Sequence, residues 1–321
     1  MKKIRVDFVD FWFGFDKCNN SIYNFLKQFY DIEICEKPDY LFFSCFGYKY
    51  LEYDCIKIFF TGENVRPDFN LCDYAIGFDY IKFADRYIRW PLYMTMEYRD
   101  DYNKALNKHK EYYNKEPKKY KFCNFIYSNS LAISGRDELF EYLSQYKLVD
   151  SGGRHKNNIG GSIDDKFLFQ QQYKFSIAYE NSSTPGYTTE KIIQALAAGT
   201  VPIYWGNPEI LSEINSGCFI NAHDFNSMDD LIARIIEVDQ DDEKYLRMIR
   251  TPAFTVEHME HYSDDVLKTW FDNIFSKDVN EASRRTGYMW EKRIENRNKL
   301  VKRIIYSRIL RKILRINLID Y

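Results

Sequence analysis

The sequence predicts an α/β fold made of two lobes, each built around a parallel sheet. In residues 1–100, short apolar runs alternate with segments of helical spacing, and the same alternation begins again after residue 120. Between them lies a polar, lysine-rich stretch that contains the single proline Pro117. We expect the two lobes to face a central cleft, because ligands of such sheets bind beyond the carboxyl ends of the strands.

The elements of each lobe follow from hydrophobic spacing. In the first lobe the runs KIRVDFVDF, DYLFFSC and IKIFFTG predict strands, and SIYNFLKQFY predicts a helix between the first two. In the second lobe the predicted strands are KFCNFIYS, KLVDSGG, KFSIAY and TVPIYWG. Its predicted helices are GRDELFEYLSQY, DKFLFQQQY, EKIIQALAAG and MDDLIARIIEV. We therefore divide the chain into domains at 1–116 and 117–266, followed by helices and a basic tail at 267–321.

The tail after residue 292 is rich in Lys and Arg and has Glu295 as its single acidic residue before Arg315. Its paired apolar residues favour two short basic helical segments that meet near Tyr306 and Ser307, rather than one amphipathic stripe. Attachment to an anionic membrane surface explains this pattern as well as docking on the protein body or on a partner does.

Composition limits the classes of partner and compartment. The formal net charge of −2 argues against a polyanion such as nucleic acid as a partner. The seven cysteines are odd in number and form no CxxC pair, which is typical of reduced thiols in a cytoplasmic protein. No uncharged run approaches the roughly 18 residues that cross a bilayer, so we expect a cytoplasmic protein or one attached peripherally to the membrane.

Metal-ligand patterns are weak in this sequence. The only DxD run, Asp239-Gln240-Asp241, lies in an acidic stretch that we interpret as solvated surface. The five histidines form no HExxH motif, and neither Cys nor His shows the spacing of a zinc site. We predict no required cofactor, with stimulation by a divalent cation left open.

Polar residues crowd where the apolar run KFSIAY meets the helical run EKIIQALAAG, in the stretch AYENSSTPGYTTEK. The start of a helix presents unpaired N–H groups that suit a phosphate, and Lys191 adds a positive charge there. Glu190 can accept hydrogen bonds from sugar hydroxyls, while Asn181 and Tyr187 can donate to sugar or phosphate oxygens. An ordinary strand-loop-helix connection explains the same residues, and by themselves they slightly favour it.

Three further features are candidates on the same grounds. Arg136 stands beside a glycine at a predicted helix start, where a guanidinium can bind two phosphate oxygens, although a surface arginine is as good an explanation. The loop Gly152–Gly161 is rich in glycine and carries Arg154, but it matches no phosphate-binding pattern. Glu63 follows a strand and a glycine, where a carboxylate could take a proton from a hydroxyl or simply be solvated.

Two long blocks of this sequence resemble one enzyme family. The segment YKFSIAYENSSTPGYTTEKIIQALAAGTVPIYWG resembles the donor-binding motif of the α1,3/α1,4-fucosyltransferases, glycosyltransferase family ten. FTGENVRPDFNLCDYAIGFD and DRYIRWPLY are similar to its first-lobe motifs, in particular those of the bacterial Helicobacter-type enzymes. The resemblance implies a GT-B fold of two Rossmann-like lobes. It also implies inverting transfer of L-fucose from GDP-fucose to the 3-hydroxyl of N-acetylglucosamine in a lactosamine-type glycan, as in Lewis antigens.

The resemblance also implies roles for individual residues. Glu63 matches the general base, while Trp12 and Arg89 match the acceptor side, which falls in the domain at 1–116. The donor side falls in the domain at 117–266: Arg136 and Lys191 would contact the diphosphate, Asn181 and Tyr187 the donor, and Glu190 a ribose or fucose hydroxyl. Two features depart from relatives, since no heptad repeat precedes the tail and the glycine-rich loop lacks a cysteine. A transferase with another nucleotide sugar or acceptor, or a non-catalytic nucleotide- or glycan-binding protein, stays an alternative.

Overall fold

The structure is a computed structural model that describes residues 2–113, 117, 119–132, 134–285 and 288–307. The chain divides into two compact units. Unit 1 contains the residues up to Gly77, the segment Ile81–Arg89 and the chain from Leu267 onward. Unit 2 contains Phe78–Tyr80 and Trp90–Val266.

Unit 1 is built on a parallel sheet. Its strands within the described residues are β1 (Lys3–Val9), β2 (Asp31–Ile34), β3 (Tyr40–Phe43), β4 (Ile56–Phe60), β5 (Tyr74–Gly77) and β6 (Tyr87–Arg89). They lie in the order β2-β1-β3-β4-β5-β6, and each neighbouring pair is parallel. Every residue of β3, β4 and β5 is buried, as expected for inner strands covered on both faces. The helix α1 (Ser21–Leu26) connects β1 to β2.

The three strands predicted for the first lobe are confirmed as β1, β3 and β4. The predicted helix SIYNFLKQFY is shorter in the structure, where α1 ends at Leu26 and Lys27 is its C-cap. The sequence prediction missed β2, whose residues DIEI alternate charged and apolar side chains and are half-buried or exposed at the sheet edge. Short edge strands of this kind carry a weak hydrophobic signal.

Unit 2 has its own parallel sheet, in the order β11-β10-β9-β7-β8. Its described strands are β7 (Lys121–Phe125), β8 (Val149–Ser151), β9 (Tyr173–Tyr179), β10 (Val201–Trp205) and β11 (Ile220–Asn221). Its described helices are α2 (Arg99–Glu111), α3 (Arg136–Tyr146), α4 (Lys166–Gln170), α5 (Glu190–Ala197), α6 (Met228–Gln240), α7 (Asp242–Arg250) and α8 (Val256–His261). The predicted alternation of strands and helices in the second lobe is therefore confirmed.

The structure divides the chain differently from the predicted boundary between residues 116 and 117, because α2 belongs to unit 2. The ammonium of Lys108, on α2, is buried and donates to the carbonyls of Met248 and Ile249 at 3.3 and 2.9 Å. Those carbonyls lie in the last turn of α7, so the lysine satisfies acceptors that a helix end leaves unpaired. Gln194 on α5 also donates to Asp101 on α2 at 3.0 Å. These contacts fix α2 to the helices α5 and α7 of unit 2.

Unit 1 takes up the chain again at Leu267. It contains α9 (Asp264–Phe275), α10 (Val279–Ala282) and α11 (Met289–Tyr306). The ring of Phe271 on α9 lies 6.1 Å from that of Phe25 and 6.2 Å from that of Phe42, between centroids. Within the described residues, the predicted helices after residue 267 pack on unit 1, and α9 completes its core.

The described part of the basic tail, α11, docks on unit 1 through one face. Its Glu295 pairs with the buried ammonium of Lys57 on β4 at 3.3 Å and with Arg285 at 3.4 Å. The outer face of the helix exposes basic side chains together with Trp290 and Leu300. The predicted second basic segment lies beyond Ser307, outside the described residues. Within the described chain, no helix combines the length and apolar character that a membrane span requires.

Candidate active site

The predicted strand-to-helix corner lies at the carboxyl end of β9, the central strand of unit 2. β9 ends at Tyr179, and the next residue, Glu180, is fully buried. The N–H of Glu180 donates to the carbonyl of Trp205 at 2.8 Å, which continues the hydrogen bonding between β9 and β10. The chain then forms a loop and enters α5 at Glu190. A charged side chain buried at this point distinguishes the corner from an ordinary solvated connection.

Glycine is required in that loop at Gly186. Its φ is +81°, and a Cβ there would lie 2.4 Å from the carbonyl oxygen of Phe78. Its N–H donates to the side chain of Asn207 at 2.8 Å. The next side chain, Tyr187, is buried, with its ring 5.2 Å from that of Phe78 in an edge-on contact. The loop is thus held in one conformation that presents the first turn of α5.

The ammonium of Lys191 lies in a small buried network at the start of α5. Its Nζ is 2.8 Å from Oγ1 of Thr189 and 3.0 Å from Oε2 of Glu180. It is also 3.6 Å from Oε1 of Glu190, and the side chain is only 17% exposed. Burial alone would lower the pKa of Lys191, but the carboxylates of Glu180 and Glu190 outweigh burial and raise that pKa. Lys191 is therefore a stable cation.

Glu190 has a second cation close to it. Burial would raise the pKa of its carboxyl, but the ammonium groups of Lys191 and Lys166 lower it below its ordinary value. Lys166, the first residue of α4, donates to Oε1 of Gln194 at 2.6 Å. The sequence prediction did not include Lys166, and its only signal was a position at the start of the predicted helix DKFLFQQQY.

Arg136 is buried, so the interpretation as a surface arginine is wrong. The side chain is 2% exposed, and its guanidinium carbon lies 4.1 Å from the ring centroid of Tyr127. It donates to Oδ1 of Asn181 at 3.1 Å and to the carbonyl of Asn129. Burial lowers the pKa of Arg136, which nevertheless stays a cation at neutral pH. The structure thus brings together Arg136 and Asn181, which the sequence predicted separately.

Tyr127 connects the two cations of unit 2. Its hydroxyl accepts the N–H of Tyr179 at 2.7 Å, so its phenol lies at the end of β9. Burial raises the pKa of Tyr127, and Lys191 and Arg136 both oppose that shift electrostatically. Two positive charges therefore act on the same point at the carboxyl edge of this sheet.

The glycine-rich loop packs against the same region. A Cβ at Gly153 would lie 2.0 Å from the carbonyl oxygen of Tyr127, so the backbone approach requires glycine. Nε2 of His155 is 2.7 Å from Oδ2 of Asp137, the residue after Arg136. Lys156 pairs with Glu141 at 2.7 Å, and Arg154 is exposed. The loop thus supports the start of α3.

Three predicted residues lie in unit 1, each just past or at the carboxyl end of a parallel strand. Trp12 follows β1 and is 45% exposed, with its ring edge-on to Phe15 at 5.1 Å. Glu63 follows β4 and is exposed, and its N–H donates to Oγ1 of Thr61 at 3.1 Å. Arg89 is the last residue of β6. Because carboxyl ends of parallel strands share one edge, these side chains belong to the same edge of the unit 1 sheet.

The interpretation of the acidic DxD run as solvated surface is wrong for Asp239, whereas the side chain of Asp241 is partly exposed. Asp239 is buried and pairs with Lys147 at 2.5 Å and with Lys174 at 3.1 Å. Asp241 caps α7 by accepting the N–H of Lys244. Across the part of the chain that the structure describes, no group of three or more His, Cys, Asp or Glu could hold a metal ion.

Comparisons with known proteins agree with this geometry. The model of the alpha-(1,3)-fucosyltransferase FucT N-terminal domain matches residues 6–96, and that of the glycosyltransferase family 10 (fucosyltransferase) C-terminal region matches residues 116–274. The alpha-(1,3)-fucosyltransferase FucT of Helicobacter pylori is 32% identical to this chain, and the match covers 84% of this chain and 68% of the relative. The chain belongs to glycosyltransferase family 10.

Solved structures place this family 10 fucosyltransferase in the predicted fold. A crystal structure of an alpha1,3-fucosyltransferase matches with a TM-score of 0.76 and 29% identity, covering 86% of this chain and 91% of the other. A crystal structure of an alpha1,3-fucosyltransferase with GDP-fucose matches with a TM-score of 0.74 and 29% identity. The match covers 87% of this chain and 92% of the other. The predicted α/β fold of GT-B type and the predicted class, a glycosyltransferase of the fucosyltransferase family, are confirmed.

Proposed function

We propose that this enzyme transfers L-fucose from GDP-fucose to the 3-hydroxyl of N-acetylglucosamine in a lactosamine-type glycan, with inversion at the anomeric carbon. The observation that supports it most is the pair of buried cations, Arg136 and Lys191, at the carboxyl edge of the unit 2 sheet. Positive charge at this position would stabilise the negative charge of a departing nucleoside diphosphate. The relatives named for α1,3-fucosyl transfer, one of them crystallised with GDP-fucose, support the choice of donor and linkage.

The donor side of the reaction is assigned to unit 2. Arg136 has a planar guanidinium suited to two phosphate oxygens, and Lys191 supplies a point charge. Asn181, held by Arg136 at 3.1 Å, contacts the donor beside the diphosphate. Tyr187 lines the loop through which the donor is bound, and Glu190 accepts from a ribose or fucose hydroxyl. Preorganised donors of this kind stabilise charge without reorganisation during the reaction.

The acid-base step is assigned to Glu63. Its carboxylate takes the proton of the acceptor hydroxyl while the oxygen attacks the anomeric carbon from the face opposite GDP. The bond between fucose and the β-phosphate breaks, and its electron pair leaves with GDP. Trp12 offers an exposed aromatic face to the acceptor sugar, and Arg89 offers a guanidinium to its hydroxyls.

The proposal includes no required metal ion. Arg136 and Lys191 compensate the charge that develops on the departing diphosphate. Whether a divalent cation stimulates turnover is tested by assaying transfer with and without EDTA. Loss of all transfer in EDTA, restored by adding Mg²⁺ or Mn²⁺, would contradict this part of the proposal.

We also propose that the enzyme works at the cytoplasmic face of a membrane, bound through its basic tail. The outer face of α11 exposes basic side chains beside Trp290, the combination that binds anionic interfaces. Co-sedimentation with vesicles that contain phosphatidylserine, compared with vesicles of neutral lipid, tests this. Equal binding to both vesicle types, or to neither, would contradict it.

The function is tested by incubating the enzyme with GDP-fucose and either a lactosamine acceptor or its type-1 isomer. We expect fucosylated lactosamine and released GDP, and linkage analysis should place fucose on the 3-hydroxyl. Parallel reactions with other nucleotide sugars identify a different donor. GDP binding without transfer to either acceptor would instead indicate a non-catalytic binding protein.

A further inference from the structure

We infer that Glu180 is a positioning residue for the donor site: it holds the Lys191 ammonium in place for the diphosphate without contacting the donor itself. This rests on the proposed function of Lys191. Glu180 was not among the residues that the sequence singled out, although it is the first glutamate of AYENSSTPGYTTEK. Its side chain is fully buried, whereas that of Lys191 keeps 17% of its surface exposed.

Glu180 uses both carboxyl oxygens at the start of α5. Oε1 accepts the N–H of Thr189 at 2.7 Å. Oε2 accepts the hydroxyl of Thr189 at 2.7 Å and the ammonium of Lys191 at 3.0 Å. The ammonium donates in turn to Oγ1 of Thr189 at 2.8 Å, which closes a ring of three polar groups. Two of the three hydrogens of the ammonium are thus directed inward, and the third can be donated to a phosphate oxygen.

The side chain of Glu180 has little freedom to leave this arrangement. A Cβ at Gly206 would lie 2.4 Å from Cγ of Glu180, so the neighbouring strand end packs directly on the glutamate stem. Burial raises the pKa of the Glu180 carboxyl. We nevertheless assign it as a carboxylate, because the Thr189 N–H and the Lys191 ammonium can only donate.

The charge of Lys191 depends on its surroundings. Several segments of unit 2 contribute the titratable groups that face it, which are Glu180, Glu190, Lys166, Tyr98, Tyr127 and Tyr187. Burial and Lys166 favour the neutral amine, and Glu180 is foremost among the groups that favour the ammonium. Without the Glu180 carboxylate, Lys191 should lose its proton at a lower pH than in the wild type.

A purely structural role is the competing explanation, since Glu180 also caps the N-terminus of α5. A cap stabilises the fold but does not alter the protonation of Lys191. The two roles therefore differ in the pH dependence of GDP binding. Glu213 provides a matched control: it is a second glutamate of unit 2 that is almost fully buried, and it accepts from the neutral donors Tyr80 and Asn207 at 2.6 and 3.0 Å.

The experiment compares wild type, Glu180→Gln and Glu213→Gln, using thermal unfolding, transfer kinetics and GDP titration by calorimetry. We expect Glu180→Gln to lower kcat on the order of tenfold to a hundredfold, with a smaller change in KM for GDP-fucose. Between about pH 7 and about pH 9, its GDP affinity should fall more steeply than that of wild type or Glu213→Gln, because Lys191 deprotonates.

Two results would overturn the inference. One is a Glu180→Gln enzyme with wild-type kcat; the other is a GDP affinity whose pH dependence is the same in Glu180→Gln as in wild type and Glu213→Gln. If Glu180→Gln does not fold, Glu180→Asp takes its place, because its shorter side chain keeps the charge but moves it away from Lys191. Wild-type kcat in Glu180→Asp would also overturn the inference. If wild type binds GDP but transfers no fucose, the proposed function fails and the GDP titration alone decides the role of Glu180.

Discussion

The guanidinium of Arg136 lies over the ring of Tyr127, 4.1 Å from the centroid, and reaches Asn181 at 3.1 Å. A buried arginine held in this way by a ring and a side-chain amide is oriented before any ligand arrives. Such preorganisation reduces the entropy that a ligand loses on binding. It also makes the site sensitive to the shape of the cation as well as to its charge.

Replacing Arg136 by lysine should therefore weaken GDP binding although the charge is kept. An ammonium cannot stack on Tyr127 or bind two phosphate oxygens side by side. We expect GDP affinity, measured by calorimetry, to fall about tenfold or more. Arg234→Lys, at an exposed ion pair on α6, is the control and should bind GDP as wild type does. Equal affinity in both variants would remove Arg136 from the diphosphate site.

Glu63→Gln should abolish turnover and leave donor binding intact, because the amide cannot accept the proton of the attacking hydroxyl. We expect kcat to fall by at least about a hundredfold, with GDP affinity unchanged. The matched control is Glu36→Gln, which alters another exposed loop glutamate of unit 1. An active Glu63→Gln enzyme would mean that another group takes the proton.

Glu295→Gln should destabilise unit 1, because it removes the carboxylate that faces the buried ammonium of Lys57. Burial lowers the pKa of Lys57, so the ammonium depends on this partner at 3.3 Å. Loss of one partner of a mostly buried pair costs on the order of 2 kcal/mol, measured by urea unfolding. Glu281→Gln, at an exposed residue of α10, is the control. Equal stability of the two variants would show that α11 contributes nothing through this pair.

Acid should weaken the attachment of the C-terminal segment through Asp85. Hydrogen bonds from Arg284 are foremost in holding the pKa of Asp85 well below its usual range, and Lys277 pairs with it at 3.1 Å. Because the folded-state pKa is depressed, this stabilisation is present above the unfolded pKa of about 4 and is lost as pH falls below it.

Asp85→Asn should therefore be less stable than wild type at about pH 7, and the difference should shrink at about pH 3. Urea unfolding at both pH values measures this. Asp31→Asn, at an exposed residue of β2, should show little difference at either pH. A stability difference for Asp85→Asn that is the same at both pH values would contradict the ion-pair account.

Much of the fold could be predicted from the sequence because apolar runs and helical spacing are local signals. The buried strands β3, β4, β9 and β10 and the helices α3, α5 and α6 are examples. The assignment of α2 to unit 2 could not be predicted, since it depends on Lys108 reaching carbonyls at Met248 and Ile249, far along the chain. Distant contacts of this kind leave no periodic pattern.

The candidate site was predicted unevenly for a similar reason. Arg136, Asn181 and Lys191 lie in recognisable motifs, and the structure brings the first two into contact. Sequence could not show that Arg136 is buried, because its side chain packs on Tyr127 and donates to Asn181, which is distant along the chain. It also gave no reason to select Glu180 or Lys166, whose importance arises only from the groups that surround them in the folded chain.

The packing of Phe271 on Phe25 and Phe42 has a consequence for how the protein is made. Unit 1 is discontinuous, and its first sheet strands are synthesised long before the helix that covers them. On the ribosome, unit 2 can therefore complete its core before α9 has been synthesised, while the apolar face of β3 is still uncovered. Domains fold as their chains emerge, so the first unit to begin synthesis should be the last to finish folding.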